Sequence, residues 1–138
     1  MSRKGYYALS FTWGIIMTVI GFLVAGALRL VGKKPIKEGP CWCFIVGENW
    51  GGVSLGPVML VSPANYAAGR TVKHEFGHSL QNCVWGPLFP FVIAIPSAGR
   101  WNKFRILRKK GIKPTEEYDD AWFEGQATEW GNKYFDKF

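Results

Sequence analysis

The chain has 138 residues, a net charge of +7 and a hydrophobic fraction of 48%. It contains no internal repeat and no low-complexity tract, which excludes solenoid architectures and biased, disordered segments. About 100 residues follow the first apolar segment, and a stretch of that length supports one small hydrophobic core.

The first predicted element is an apolar helix over residues 5–31. Residues 5–28 contain no charged side chain, and about 20 such residues span a bilayer. Aromatic residues lie toward one end and basic residues follow the other, as in membrane helices: Tyr6, Tyr7 and Trp13, then Arg29, Lys33 and Lys34. We interpret the segment as a transmembrane helix. A cleaved signal peptide would have a shorter apolar region, and a buried helix of a soluble core would show a polar face.

The flanking charges predict how this helix is oriented. More basic residues follow the apolar segment closely than precede it, and cytoplasmic flanks collect the larger share of Lys and Arg. The sequence therefore predicts a single-pass membrane protein with a cytoplasmic C-terminal domain. Residues 32–40, rich in lysine, glycine and proline, form a predicted linker. Residues 41–138 form a predicted compact domain of the α+β class.

Two short apolar runs, residues 44–46 and 58–61, are bounded by glycine and proline and predict β-strands. Before the second run, Gly52-Val53-Ser54-Leu55-Gly56 matches the G-x-S-x-G nucleophile elbow. That motif requires a strand before the serine and a helix after it, whereas Pro57 and a predicted strand follow here. We interpret it as a glycine-rich turn into a strand whose edge would suit an extended substrate.

A predicted helix over residues 68–83 carries both histidines of the chain. His74 and His78 lie four residues apart with Glu75 beside them, the H-E-x-x-H pattern. Positions four apart share one face of a helix, so both imidazoles can reach one ion. A catalytic zinc site uses three protein ligands and a water. The pattern therefore predicts His74 and His78 as zinc ligands and Glu75 as the general base.

The next segment is apolar but rich in helix breakers. No charged residue occurs between residues 79 and 99, yet three prolines in this stretch would break a spanning helix. We expect irregular chain and strand packed under the histidine helix, or a segment that dips into the membrane interface. A full second span is disfavoured because irregular backbone cannot face lipid tails without unpaired polar groups.

A basic cluster follows over residues 100–113, with seven Lys and Arg and no acidic residue. Near an anionic leaflet each basic side chain contributes about 1 kcal/mol of binding. Because an apolar segment adjoins the cluster, membrane lipid is the favoured partner and nucleic acid is unlikely. A plain solvated loop is the remaining interpretation.

The last predicted helix, residues 115–135, offers a third metal ligand. At 100° per residue its apolar side chains form one stripe: Phe123, Ala127, Trp130 and Tyr134. Glu124 and Asp120 border this stripe, whereas Glu117 and Glu129 lie away from it. A metal ligand must face the edge of the core, so the periodicity leaves Glu124 and Asp120 as candidates.

The two motifs together resemble those of a known group of enzymes. His74-Glu75-x-x-His78 followed by Glu124-x-x-Ala127 is similar to the gluzincin type of zinc metallopeptidase. The resemblance implies that residues 41–138 form a zincin-like metal-binding domain, that His74, His78 and Glu124 bind Zn²⁺ and that Glu75 is the base. The run 74–82, with Gly86-Pro87-Leu88 and Ile95-Pro96-Ser97, also resembles small bacterial membrane-anchored proteins with zincin-like motifs.

The chain departs from the gluzincin pattern at one informative position. Many gluzincins carry an acidic residue four positions after the third ligand, where this chain has Thr128. The chain also has no further histidine to stabilise an oxyanion. That role would fall to a tyrosine, an arginine or backbone N–H groups, and Tyr118 and Tyr134 are the candidate tyrosines.

The three cysteines carry less information. Cys41-Trp42-Cys43 is too tight for an ordinary structural disulfide or a C-x-x-C zinc knuckle. A cytoplasmic domain would keep all three thiols reduced. Cys83, one turn beyond His78, is expected in the core.

These patterns predict a membrane-anchored zinc metallopeptidase or related amide hydrolase that acts on a peptide or protein substrate. The main alternative is a non-catalytic membrane-associated accessory or interaction protein of the same fold, whose motif only binds metal or has no role. An intramembrane protease is a third class, but it would need several spanning helices around the motif, and the sequence predicts one.

Overall fold

The computed structural model describes residues 1–48 and 50–138. Within them the chain forms six α-helices and one four-stranded sheet. The helices are α1 (Arg3–Ser10), α2 (Ile15–Leu30), α3 (Pro63–Ala68), α4 (Arg70–Trp85), α5 (Ile95–Lys109) and α6 (Trp122–Tyr134). The strands are β1 (Ile36–Glu38), β2 (Cys41–Ile45), β3 (Gly52–Leu55) and β4 (Val58–Val61). This mixture of helix and sheet confirms the predicted α+β class.

The sheet has the strand order β1-β2-β4-β3. β2 and β4 are parallel, with Trp42 opposite Val58, and the two outer pairs are antiparallel. Both predicted strands are present as β2 and β4. The prediction that residues 58–61 form a sheet edge is wrong, because β4 lies between β2 and β3. The structure adds β1, which lies inside the predicted linker, and the edge strand β3, where the sequence predicts a turn. Neither has the continuous apolar run that identified the other two, because both are edge strands with one neighbour.

The tight turn that joins β3 to β4 excludes the nucleophile elbow on structural grounds as well. Gly56 adopts a positive φ of 64° there, a conformation that favours glycine. Ser54 is buried within β3, and its hydroxyl donates to the Gly56 carbonyl at 3.4 Å. No helix follows this serine, so it lacks the exposed position that an attacking hydroxyl requires.

Helices cover both faces of the sheet. One face presents Cys41, Cys43, Met59 and Val61 to α4, where Phe76 and Leu80 pack against them with the buried Tyr6 of α1. The other face presents Phe44 and Val58 to Ala25 of α2. The three cysteines are buried free thiols, and Cys83 belongs to the first of these clusters, as the sequence predicted.

The N-terminal apolar segment is not the continuous helix that the sequence predicted over residues 5–31. α1 and α2 meet at an angle of 91°. Hydrogen bonds hold the bend: the Trp13 indole donates to the Val84 carbonyl at 3.0 Å, and the Thr18 hydroxyl donates to the Ser10 carbonyl at 2.5 Å. The Asn82 side chain also approaches Gly14, the residue that precedes α2. Composition alone did not reveal these tertiary contacts.

The second apolar segment is also helical rather than irregular chain or strand. After α4, a 3-10 turn (Gly86–Leu88) and a π-helical turn (Pro90–Ala94) lead directly into α5. The prolines occupy the first positions of these short elements, where a missing amide donor costs little. The prolines therefore redirect the chain without ending its helical character.

None of the described helices is by itself long and apolar enough to cross a membrane. Two bent pairs reach that length and hydropathy only when their halves are combined. One pair is α1 with α2, and the other joins residues 70–88 to residues 90–109 at an angle of 120°.

We predict that Gly21→Ala destabilises the fold, because a Cβ there would overlap the Leu55 carbonyl oxygen and push α2 off the sheet. Such overpacking costs about 1–3 kcal/mol of unfolding free energy. Gly26→Ala is the matched control in the same helix, since its Cβ would meet nothing within 4 Å. It should stabilise the helix by up to about 1 kcal/mol. Urea unfolding of both variants tests this, and equal effects would contradict the packing of α2.

Candidate metal centre

The candidate site depends on a very close contact between α4 and α6. A Cβ at Gly77 would overlap the Ala127 carbonyl oxygen, and a Cβ at Gly131 would overlap the Lys73 carbonyl oxygen. Only glycine lets two backbones approach this closely. The two glycines therefore bring Glu124, at the start of α6, against the histidine face of α4.

Three side chains converge at this contact. The Nε2 atoms of His74 and His78 lie 2.9 Å and 3.2 Å from the same carboxylate oxygen, Oε2 of Glu124. The candidate ligand atoms all lie within 4.8 Å of one another. Glu124 is fully buried, His78 is nearly so, and His74 is partly exposed. This group could hold a metal ion.

The donor set is suited to a divalent metal ion. Two imidazole nitrogens and one carboxylate oxygen are ordinary ligands of such ions, and all three come from buried or partly buried side chains.

The remaining ring nitrogens of both histidines are held by hydrogen bonds. Nδ1 of His78 lies 2.7 Å from Oε1 of Gln81, and Nδ1 of His74 lies 2.8 Å from the Thr128 hydroxyl. The Gln81 amide nitrogen donates to the Phe123 carbonyl at 2.9 Å, so its Oε1 must accept and the Nδ1 of His78 must carry a proton. A bound cation would take the Nε2 lone pair in place of the proton that Nε2 shares with Glu124. Thr128 thus holds His74 from the position where many gluzincins have an acidic residue.

The electrostatics of the group favour a cation. Although burial raises the pKa of Glu124, its hydrogen bonds with His74 and His78 outweigh this and hold the pKa well below the usual range. Burial alone would lower the pKa of His78, but the hydrogen bond that His78 donates to Glu124 and the charge of Glu75 raise it. A buried carboxylate that stays ionised provides the negative charge that a divalent ion needs.

Glu75 faces a cavity of about 830 Å³ that both histidines also line. Its side chain is almost buried and lies beside Gly52 of the edge strand β3. Burial raises the pKa of Glu75, although the charges of His78 and His74 act in the opposite direction. A more basic carboxylate is a better proton acceptor near neutral pH. Glu75 can therefore accept a proton inside the cavity.

α5 and the segment before α6 close the other side of the site. The Ser97 hydroxyl donates to Oε1 of Glu124. The Arg100 guanidinium donates to the backbone carbonyls of Tyr118 and Glu117 at 2.8 Å and 2.7 Å. It thereby fixes the Tyr118 ring 6.3 Å from the His74 ring, measured between centroids.

Of the two candidate tyrosines, only Tyr118 lines the cavity. Burial, together with the charge of Glu124, raises its pKa, so the hydroxyl keeps its proton and remains a hydrogen-bond donor. Tyr134 instead packs against the hydrophobic cluster around Phe76. The structure therefore brings Tyr118 to the site and places Tyr134 in the core.

Asp120, the alternative third ligand, is engaged elsewhere. Its carboxylate accepts the Glu117 N–H at 2.9 Å and caps the turn Tyr118–Asp120 that precedes α6. The predicted helix over residues 115–135 consequently begins later, at Trp122. The residue that joins the two histidines is Glu124, as the resemblance implied.

Sequence reasoning gave no role to Gln81, Ser97 or Arg100. Gln81 had a usable signal, because it follows His78 by three residues and so shares its face of α4. Ser97 and Arg100 had none, since they reach the site from a different helix through contacts that no local pattern encodes.

We predict that Thr128→Val weakens metal binding about 10- to 100-fold, because it removes the hydrogen bond to Nδ1 of His74. Thr128→Ser keeps the hydroxyl and should bind nearly as tightly as the wild type. Competition titration against a zinc-responsive dye compares the three proteins. Equal affinity in the valine variant would show that Thr128 does not support His74.

We also predict that Gly77→Ala lowers both stability and metal affinity, because the added Cβ would push α6 and its Glu124 away from α4. The matched control is Gly99→Ala in α5, whose Cβ would meet nothing within 4 Å. Thermal unfolding and zinc titration of both variants provide the test. A Gly77→Ala protein with wild-type affinity would contradict the role of this contact.

Comparisons with protein-family models, with curated proteins and with solved structures each found no match. The similarity to gluzincins thus rests on the residues of the histidine and glutamate motifs.

Proposed function

We propose that the protein is a zinc-dependent hydrolase of peptide bonds or of related amides. One observation supports this above all others: His74, His78 and Glu124 converge on one point while the Glu75 carboxylate faces the same cavity. Structural zinc sites are usually closed four-ligand sites, often rich in thiolates. Three ligands beside an accessible base are typical of catalytic sites.

Each residue has a defined task in this reaction. Bound zinc would supply a Lewis acid that polarises a carbonyl and lowers the pKa of water. Glu75 accepts a proton from the attacking water and returns it to the amine nitrogen as the C–N bond breaks. The protonated Tyr118 hydroxyl donates a hydrogen bond to the carbonyl oxygen as negative charge develops there. The products are a carboxylic acid and an amine.

The edge of the sheet favours an extended peptide as substrate. β3 pairs with β4 on one side only, and Gly52 to Leu55 line the cavity next to Glu75. A free strand edge presents backbone donors and acceptors that an added strand can satisfy. A peptide bound there would pass the Glu75 carboxylate.

The test compares the wild type with His78→Ala and Glu75→Gln, all as the full chain. Metal content after dialysis and cleavage of a quenched fluorescent peptide library are measured for each. We expect one zinc per wild-type chain, loss of zinc in His78→Ala, and retained zinc in Glu75→Gln. Cleavage by Glu75→Gln should fall about 10²- to 10⁴-fold, the usual contribution of a general base.

Other outcomes point elsewhere. Zinc bound by the wild type without cleavage of any peptide would favour the alternative, a non-catalytic accessory protein with a metal site. Wild-type cleavage by Glu75→Gln would refute Glu75 as the base. A His78→Ala protein that keeps its zinc would refute the ligand set.

A further inference from the structure

The outer surface of α2 is apolar and uncovered. One side of the helix, with Met17, Gly21 and Ala25, is buried against the protein. The opposite side exposes large apolar side chains to solvent: Ile15, Ile16, Val19, Ile20, Phe22 and Leu23. Monomeric soluble proteins rarely expose contiguous apolar patches of this kind, and larger ones mark interaction sites.

The bend between α4 and α5 extends this surface. Leu88 and Phe91 are exposed there, as is Val84 at the end of α4. The two bends touch, because the Trp13 indole donates to the Val84 carbonyl at 3.0 Å and its ring lies against Gly86. The second bend is therefore a neighbour of the α1–α2 bend, and we call the outer side of α2 together with the exposed residues of the second bend the apolar face.

The segments that carry the apolar face have charges of one sign. Residues 5–37 and 79–113 contain no acidic residue, and their basic residues lie only toward the C-terminal ends, at Arg29, Lys33, Lys34 and Lys37 and over residues 100–113. Of these, Arg100 and Lys103 pair with Glu116. An uncharged surface with basic borders matches an anionic bilayer, which offers hydrocarbon beneath a negative surface. A second copy of the same face would instead set basic groups against basic groups.

The packing of α2 argues against a full crossing of the membrane. Its 16 residues are about 24 Å long, shorter than the roughly 30 Å hydrocarbon core. Gly21 and Ala25 also attach it to β3 and β4. A spanning α2 would draw the sheet, with the unpaired backbone groups of its edge, into the lipid, where such groups are costly.

We propose that the protein docks on an anionic lipid bilayer through the apolar face and does not cross it. The face inserts to a depth of about 5–10 Å, the range of interfacial helices. Trp13, which is half exposed, lies at the level of the headgroups. This proposal does not depend on zinc or on hydrolysis.

Flotation with preformed vesicles tests the proposal, using phosphatidylcholine alone and a mixture with phosphatidylglycerol. We expect binding to the anionic vesicles that weakens as salt rises. Leu23 and Phe91 are each 70% exposed, so their replacement should leave the fold intact. Leu23→Asp with Phe91→Asp should lower partitioning at least about tenfold, because both side chains lose their burial in lipid. Ile36→Asp, exposed on the opposite face of the sheet, is the control and should bind like the wild type.

Labelling of an introduced, exposed cysteine separates docking from crossing. Lys4, in the first turn of α1, and Lys34, after α2, lie on either side of the uncharged residues 5–28, and the native cysteines are buried. On intact vesicles, Lys4→Cys and Lys34→Cys should both react with an impermeant maleimide added outside. Labelling of only one before detergent is added would show a spanning helix and overturn the proposal. No flotation, equal flotation by the double variant, or dimerisation that hides the apolar face would overturn it as well.

Discussion

The contact between α4 and α6 is the constraint on which the candidate centre depends. The two histidines belong to one helix and the carboxylate to another, and fifty residues of chain separate His74 from Glu124. Their meeting requires the helix backbones to touch, which Gly77 and Gly131 allow. Two positions without side chains thus determine where three polar side chains converge.

The fully buried carboxylate of Glu124 is the second organising element. An ionised group without water is costly unless hydrogen bonds or charges compensate it. Here His74 and His78 contact one oxygen and Ser97 donates to the other. Because Ser97 belongs to α5, the helix that follows the second apolar bend is fixed to the site itself. The apolar segments therefore contribute to the interior of the protein as well as to its surface.

The H-E-x-x-H helix, the two central strands and the position of Glu124 were all accessible from the sequence, because each has a local periodicity or a known spacing. The bend between α1 and α2 was not accessible, since it depends on Asn82 and Val84, distant residues that bond to the backbone or to Trp13. Edge strand β3 was not predicted because glycines interrupt the apolar pattern in that segment. α5 was not predicted because prolines occur just before it. The hydrogen-bond partner of His74 was not predicted, because Thr128 provides a hydroxyl at the position where many gluzincins have a carboxylate.

The glycine contact also has a consequence for tracing this centre in other genomes. Any related chain in which the two helices touch in the same way must keep glycine at position 77. The useful search pattern is therefore H-E-x-G-H with a glutamine three residues after the second histidine. Its partner is E-x-x-A-T-x-x-G, whose last position must stay glycine for the same reason. The loops between the two patterns can vary in length as long as α5 still brings Ser97 to Glu124, because α4 and α6 are joined by contact and not by a local turn.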